Sequence, residues 1–268
     1  MHAAIPRPPD RPSDRPLDRR LDRSLARVRR RLGGWLDHLA PRACGLCGTA
    51  LAPSAFPGFC TGCLQDLPGA RRARCARCGQ PTDTPAPACT ACAADDPSPV
   101  DATLAAADYA PPLDRVVTAL KFGRQLALAR PLGELLAARW AGALRVEPLD
   151  CLVPVPLAPG RLAQRGFNQS LEMARAMSAS LAPAFATLPV LPRRLARLRD
   201  TPPQAGLGLS ERRTNLLGCF ECSGRLDGLR IGLIDDVMTS GSTVAEAARA
   251  LKAAGAERVV ALVAARAA

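Results

Sequence analysis

Aromatic residues make up only 3% of this 268-residue chain, and histidine occurs twice, at His2 and His38. A core must therefore be built mainly from Leu, Val and Ala. With both histidines near the N-terminus, the motifs present supply no Ser-His-Asp or Cys-His constellation. Lysine is scarce too: of 36 basic residues, all but Lys121 and Lys252 are arginine. No uninterrupted run of about eighteen apolar residues occurs, which argues against a membrane-spanning helix, and the N-terminus lacks the apolar stretch of a secretory signal. The Gly-x-x-x-x-Gly-Lys-Ser/Thr pattern of ATP-type phosphate loops is absent as well. These absences lead us to expect a cytoplasmic protein with no stable membrane insertion.

Cysteine, by contrast, is abundant, with eleven residues. Without an export signal, and with eight of them arranged as Cys-x-x-Cys pairs, metal is a better explanation than disulfides. The pairs are Cys44/Cys47, Cys60/Cys63, Cys75/Cys78 and Cys89/Cys92. Two intervening residues let both sulfurs of one tight turn reach the same tetrahedral ion, so each turn supplies half a site. Gly45, Gly48, Gly62 and Gly79 let the backbone curl there. The surrounding segment has few large apolar residues, whereas a structural zinc contributes about 10–16 kcal/mol in small fingers. We read residues 43–95 as a double zinc ribbon holding two structural Zn2+ ions, each by four thiolates. Sequential pairing into two ribbons is favoured; interleaved pairing into a cross-brace stays open. Cys219/Cys222 form a fifth pair, read as apolar filling with a redox or metal role as the alternative, and Cys151 as core.

The formal charge is +12, and two four-thiolate sites would bring it to about +8. A positive balance favours phosphorylated or polyanionic partners and does not say which anion. Residues 1–42 carry Asp-Arg at Asp10, Asp14, Asp18 and Asp22, followed by an apolar stripe at Leu17, Leu21, Leu25, Val28, Leu32 and Leu36. That pattern predicts a basic tail, partly disordered or folded as an amphipathic helix.

From about residue 100 to 268 the chain alternates buried-looking strands with amphipathic helices. "ATLAAADY", "CLVPVP", "RIGLID" and "RVVALVA" read as strands. "PPLDRVVTALKF", a stretch from about Gln125 to Trp140, "QSLEMARAMSASLA" and "VAEAARALKAAGA" read as helices, the last closed by Gly255. Strands that are apolar nearly throughout, separated by helices, imply a parallel sheet covered on both faces, with ligands at the carboxyl ends of its strands. One such end is "IGLIDDVMTSGST". The strand is expected over Ile231 to Ile234, with Asp235 and Asp236 at its end. Thr239, Ser240, Gly241, Ser242 and Thr243 then form a turn whose hydroxyls and free helix N–H groups suit a phosphate. Two carboxylates beside such a turn suit vicinal hydroxyls, so the ligand implied is a ribose 5-phosphate. A helix cap alone would account for Ser242 but not for the rest.

"LIDDVMTSGST" resembles the phosphoribosyl pyrophosphate motif of type I phosphoribosyltransferases, and with four cysteine pairs the chain is similar to ComF-type competence proteins. The resemblance covers about Ala43 to the C-terminus. It implies an α/β fold in which a double zinc ribbon precedes a phosphoribosyltransferase-like domain. By this resemblance Asp235 and Asp236 bind the ribose hydroxyls and Thr239 to Thr243 the 5′-phosphate. "VPVPLAPGRLAQRGFNQS" would be the pyrophosphate loop, with Arg161, Arg165, Asn168 and Gln169, and "RDTPPQAGLGLSERRTN" a mobile catalytic segment with Thr201, Gln204, Arg212 and Asn215. The chain departs from the commoner pattern at Gly208, where serine is usual, and at Phe122, where tyrosine is usual. The implied activity is ribosyl transfer from phosphoribosyl pyrophosphate with Mg2+, in nucleotide metabolism or DNA uptake, alongside partners from the competence machinery. The alternative is a non-catalytic protein that keeps the pocket as a sensor or grips single-stranded DNA. The acceptor is not legible.

Overall fold

The computed structural model describes residues 42–52, 58–94, 98–143, 148–181, 188–199 and 218–267. Nearly all of them belong to one compact unit, Ala43–Ala268. Residues 1–41 of the expected tail lie outside the described residues, as does the segment carrying Thr201, Gln204, Arg212 and Asn215.

The N-terminal part of the unit is small. Strands β1 (Arg42–Ala43) and β2 (Ala50–Leu51) pair around the first Cys-x-x-Cys turn, and the short helices α1 (Thr61–Gln65) and α2 (Thr90–Ala94) follow. Its apolar side chains do not form a separate core. Leu51, Phe59 and Leu67 are buried in the main apolar cluster of the molecule.

The larger part runs β3 (Ala102–Asp108), α3 (Leu113–Phe122), α4 (Ala129–Ala143), β4 (Cys151–Pro154), α5 (Pro159–Arg165), α6 (Gln169–Leu181), β5 (Leu195–Arg197), β6 (Phe220–Cys222), β7 (Arg230–Met238), α7 (Ser242–Ala253) and β8 (Arg258–Arg266). Four strands make a parallel sheet in the order β3-β8-β7-β4, as the apolar runs predict. The two-residue strand period divides the sheet's side chains between two cores. Leu152, Ile234, Val260 and Leu262 face the helices α3, α4 and α6. Cys151, Val153, Ile231, Leu233, Val259 and Ala261 face α7 and the antiparallel pair β5–β6. In α3, Leu113, Val116, Val117 and Leu120 are buried, and a short 3-10 turn, Leu126–Leu128, leads into α4.

The short strands β5 and β6 have no counterpart in the sequence reading, and two further elements differ from it. Helix α5 occupies a stretch read as loop; none of its residues is buried, so it leaves no hydrophobic period, and only Pro159 at its start and Gly166 in the left-handed region at its end mark it. Strand β7 continues to Met238 instead of stopping at Ile234. Its backbone stays paired with β8 through Asp235↔Val263 and Val237↔Ala265, so the two acids sit within the strand.

Candidate functional site

The eight paired cysteines form two groups, Cys44/Cys47/Cys60/Cys63 and Cys75/Cys78/Cys89/Cys92, with the sulfurs of each within 4.8 Å of one another. The pairing is therefore sequential. Four thiolates around Zn2+ with bonds of about 2.3 Å would have S···S edges of about 3.8 Å; Cys47 and Cys60 Sγ are 3.7 Å apart, and Cys78 and Cys89 Sγ 3.8 Å. Backbone N–H groups already point at the sulfurs: Cys60 N–H donates to Cys44 Sγ and Cys89 N–H to Cys75 Sγ, both at 3.2 Å. Burial opposes ionisation of Cys75, but N–H groups of the turn outweigh it and bring that thiol down to about 7. Burial pushes the Cys92 thiol up, and a bound cation would supply the charge that lets all four ionise. The donor set fits zinc in both groups and leaves no coordination position open for catalysis. Cys219 is fully buried and Cys222 packs against the same apolar cluster; among the described residues neither joins a third cluster.

At the carboxyl end of the sheet a cleft of about 340 Å³ opens. Its lining includes Asp235 and Asp236 from β7, Thr239 from the following turn, Thr243 from the start of α7, and Arg161, Arg165 and Gln169 from α5 and the start of α6. The carboxylates are 9% and 3% exposed. Asp235 Oδ1 accepts hydrogen bonds from Ser170 Oγ at 3.1 Å and from the Asp236 N–H at 2.9 Å. Burial, and next the Asp236 charge, push Asp235 up to about 7 against the opposing pull of Lys121. Asp236 Oδ1 pairs with Lys121 Nζ at 3.0 Å. Its Oδ2 is buried and has no hydrogen-bond partner among the described residues, an arrangement that calls for a donor or a cation from a ligand.

The turn after β7 is shorter than the sequence reading, because helix α7 already begins at Ser242. Gly241 takes a left-handed conformation, φ +79, as N-cap of α7, so Ser242 is the first helical residue and not the cap. Ser240 and Ser242 hydroxyls are 2.8 Å apart, and the first-turn N–H groups of α7 have no partner within the helix. Arg165 donates to Gln169 Oε1 and stands 5.7 Å from the centre of the Phe122 ring. Burial pushes its guanidinium below the ordinary value, with the Asp236 charge opposing.

Asn168 is employed differently from its partners in the motif. Its Oδ1 accepts from Ser170 N–H at 3.0 Å, capping α6, while Nδ2 holds Val155 O at 3.0 Å; it is not among the residues lining the cleft. Lys121, Phe122, Tyr109 and Arg197 line the cleft and were not among the site residues expected. Lys121 had a signal, since Leu113, Val117 and Lys121 are four apart and a charge on a helix's buried face needs a partner. Tyr109 follows β3 at the ligand-binding end of the sheet. Nothing in its sequence surroundings marks Arg197.

Among the described residues no helix is long and apolar enough to cross a membrane. No protein-family model matches the chain. It is 35% identical over 222 residues to the DNA utilization protein YhgH of Salmonella typhi, covering 82% of this chain and 94% of that protein. The YhgH protein of Escherichia coli strain K12 is 34% identical over the same shares. Competence protein F of Haemophilus influenzae is 30% identical over 208 residues, covering 75% of this chain and 87% of its own. Likeness of this extent shows that the chain belongs to the ComF-type competence protein family, and its two four-cysteine groups fit that family's double zinc ribbon.

Proposed function

We propose that the cleft binds phosphoribosyl pyrophosphate or a related ribose 5-phosphate, and that the protein uses this site in DNA utilization or competence, as the names of its relatives suggest. One observation carries the reading. Two segments distant in sequence, one carrying Arg161, Arg165 and Gln169 and the other Asp235, Asp236, Thr239 and Thr243, line one cleft in which a buried carboxylate oxygen lacks a partner among the described residues. The turn suits the 5′-phosphate, Asp236 Oδ2 the sugar hydroxyls, and the guanidinium forks of Arg161 and Arg165 the pyrophosphate. Mg2+ would accompany the pyrophosphate, held mostly by ligand oxygens and water, and would neutralise charge on the leaving group. In ribosyl transfer the protein's own share is to position the sugar and stabilise developing charge, with little covalent chemistry.

Thermal unfolding tests the site. A ligand at a hundredfold its Kd stabilises the native state by about 2.7 kcal/mol, so phosphoribosyl pyrophosphate with Mg2+ should raise the Tm. Asp235→Asn combined with Asp236→Asn should abolish that rise, and an unchanged Tm for the wild-type protein would refute the proposal. Pyrophosphate release on adding candidate acceptors then separates transfer from binding alone.

A second reading, a non-catalytic grip on single-stranded DNA, is favoured by Phe122. Its ring is 75% exposed at the cleft beside Arg165, a pairing suited to stacking a base. DNA affinity that did not fall between low and high salt would exclude an electrostatic grip.

A further inference from the structure

Arg266 ends the last strand of the sheet and is 5% exposed, a degree of burial that arginine rarely shows without partners. In register it lies beside Asp108 on β3 and Met238 on β7, at the end of the sheet where the cleft opens. No carboxylate pairs with it among the described residues, because Asp108 is 2.7 Å from Arg74 instead. Its guanidinium donates to main-chain carbonyls drawn from three places. Nε donates to Cys78 O at 2.9 Å and Nη1 to Met238 O at 3.0 Å, and Nη1 also reaches Thr239 O and Ala267 O.

These carbonyls belong to segments with different chemistry. Cys78 is a ligand of the second four-cysteine group, whereas Met238 and Thr239 lead into the turn that lines the cleft. One planar fork thus clasps a metal knuckle and the turn together, with further bonds tying the same pieces. Gln80 Nε2 donates to Ala267 O at 3.2 Å, and Ala267 N–H to Met238 O at 2.9 Å. The knuckle also docks on β3, through Thr103 N–H to Ala76 O at 2.7 Å and Thr103 Oγ1 to Arg77 O at 2.8 Å. A zinc-loaded group carries a formal charge of about −2 and would be the counter-charge of the buried guanidinium. Lysine would keep the charge there but cannot span both carbonyl sets, because its donors radiate from one nitrogen.

We propose that Arg266 is a positioning residue for the turn, and that through it occupancy of the turn by a phosphate ester is coupled to metal retention by Cys75, Cys78, Cys89 and Cys92. The proposal rests on the ribose-phosphate reading above. Coupling between two binding events is reciprocal: holding the turn in its phosphate-binding shape holds the Cys78 knuckle, and the reverse. The first four-cysteine group is the internal control, since none of the bonds of this clasp involves its residues.

The test follows zinc loss from the wild-type protein to a chromophoric chelator, with and without saturating ribose 5-phosphate. Alkylation and peptide mass spectrometry identify which cysteines become free. Ribose 5-phosphate should slow zinc loss from the second group by about 5-fold or more, the lower end of typical coupling, and leave the first group unchanged. Arg266→Lys should retain two zinc ions, lose that slowing and bind ribose 5-phosphate about 10-fold more weakly by calorimetry. If this variant does not fold, the wild-type comparison decides alone. Measured binding with neither group slowed, or with both slowed equally, would overturn the clasp while leaving the ribose-phosphate site standing. No binding of ribose 5-phosphate by the wild-type protein would overturn that site and this coupling with it.

Discussion

Asp236 and Lys121 show what single residues decide in the cleft. The carboxylate is nearly buried, with the Asp236 side chain 4% exposed and the Lys121 side chain 22%. Removing one partner of a fully buried pair costs about 3–5 kcal/mol because the other charge is stranded. With Lys121 partly in water, Lys121→Met should cost about 2 kcal/mol in urea unfolding, and adding Asp236→Asn should recover at least half. A variant as stable as the wild type would make the pair a bystander. Asp235 behaves in the opposite sense to most surface acids. Its folded value, about 7, lies above the ordinary 3.8, so through that pH window the native state holds a proton that the unfolded chain has lost. Stability therefore falls as pH rises from about 4 to about 7. Asp235→Asn keeps an oxygen for Ser170 and cannot ionise. It should raise the Tm by about 3 °C or more at pH 8 and by almost nothing at pH 4.5; an equal shift at both values would remove burial as the cause. Both acids and the turn were legible in the sequence because their chemistry is concentrated in one stretch. Lys121 was legible only by extending a helical stripe past its last apolar residue, and Arg197 was not legible at all.

At the scale of elements, α4 and α6 set the spacing of one face of the sheet, and Gly133 is where they meet. A Cβ on Gly133 would lie 2.4 Å from Met173 O and 3.1 Å from Met177 N. Those atoms are backbone, so the neighbouring helix would have to move. Alanine would gain up to about 1 kcal/mol of helix propensity there, but overpacking costs about 1–3 kcal/mol. Gly133→Ala should thus be net destabilising, seen as a lower urea midpoint with unchanged slope; a higher midpoint would show that the helices separate freely. The strands and amphipathic helices were readable because burial on one face or both imposes a period. Helix α5 was missed for the converse reason, since it buries none of its residues. The end of β7 was missed because two adjacent acids look like the end of a strand. Only pairing with β8 shows that the ladder continues beneath them.

In the whole molecule, the metal-binding part and the sheet share a core. Leu51, Phe59 and Leu67 lie in the same apolar cluster as Leu132, Leu136 and Trp140. Zinc in the two four-cysteine groups should therefore stabilise more than its own loops. Metal analysis should find two zinc ions per chain, and Cys75→Ser should leave one. Calorimetry of the loaded protein should show one cooperative transition, and a strong chelator should lower its temperature. Two independent transitions would mean that the parts fold separately. The amino-acid sequence by itself determined the cysteine chemistry, the parallel α/β architecture and the acid-and-hydroxyl turn, because ligand spacing, hydrophobic period and loop composition are local properties of the chain. Tertiary structure alone decided which thiols come together, that Lys121 answers Asp236, and that Arg266 joins a cysteine knuckle to the turn. Those facts depend on residues distant in the chain meeting at one end of the sheet, and no local pattern encodes such meetings.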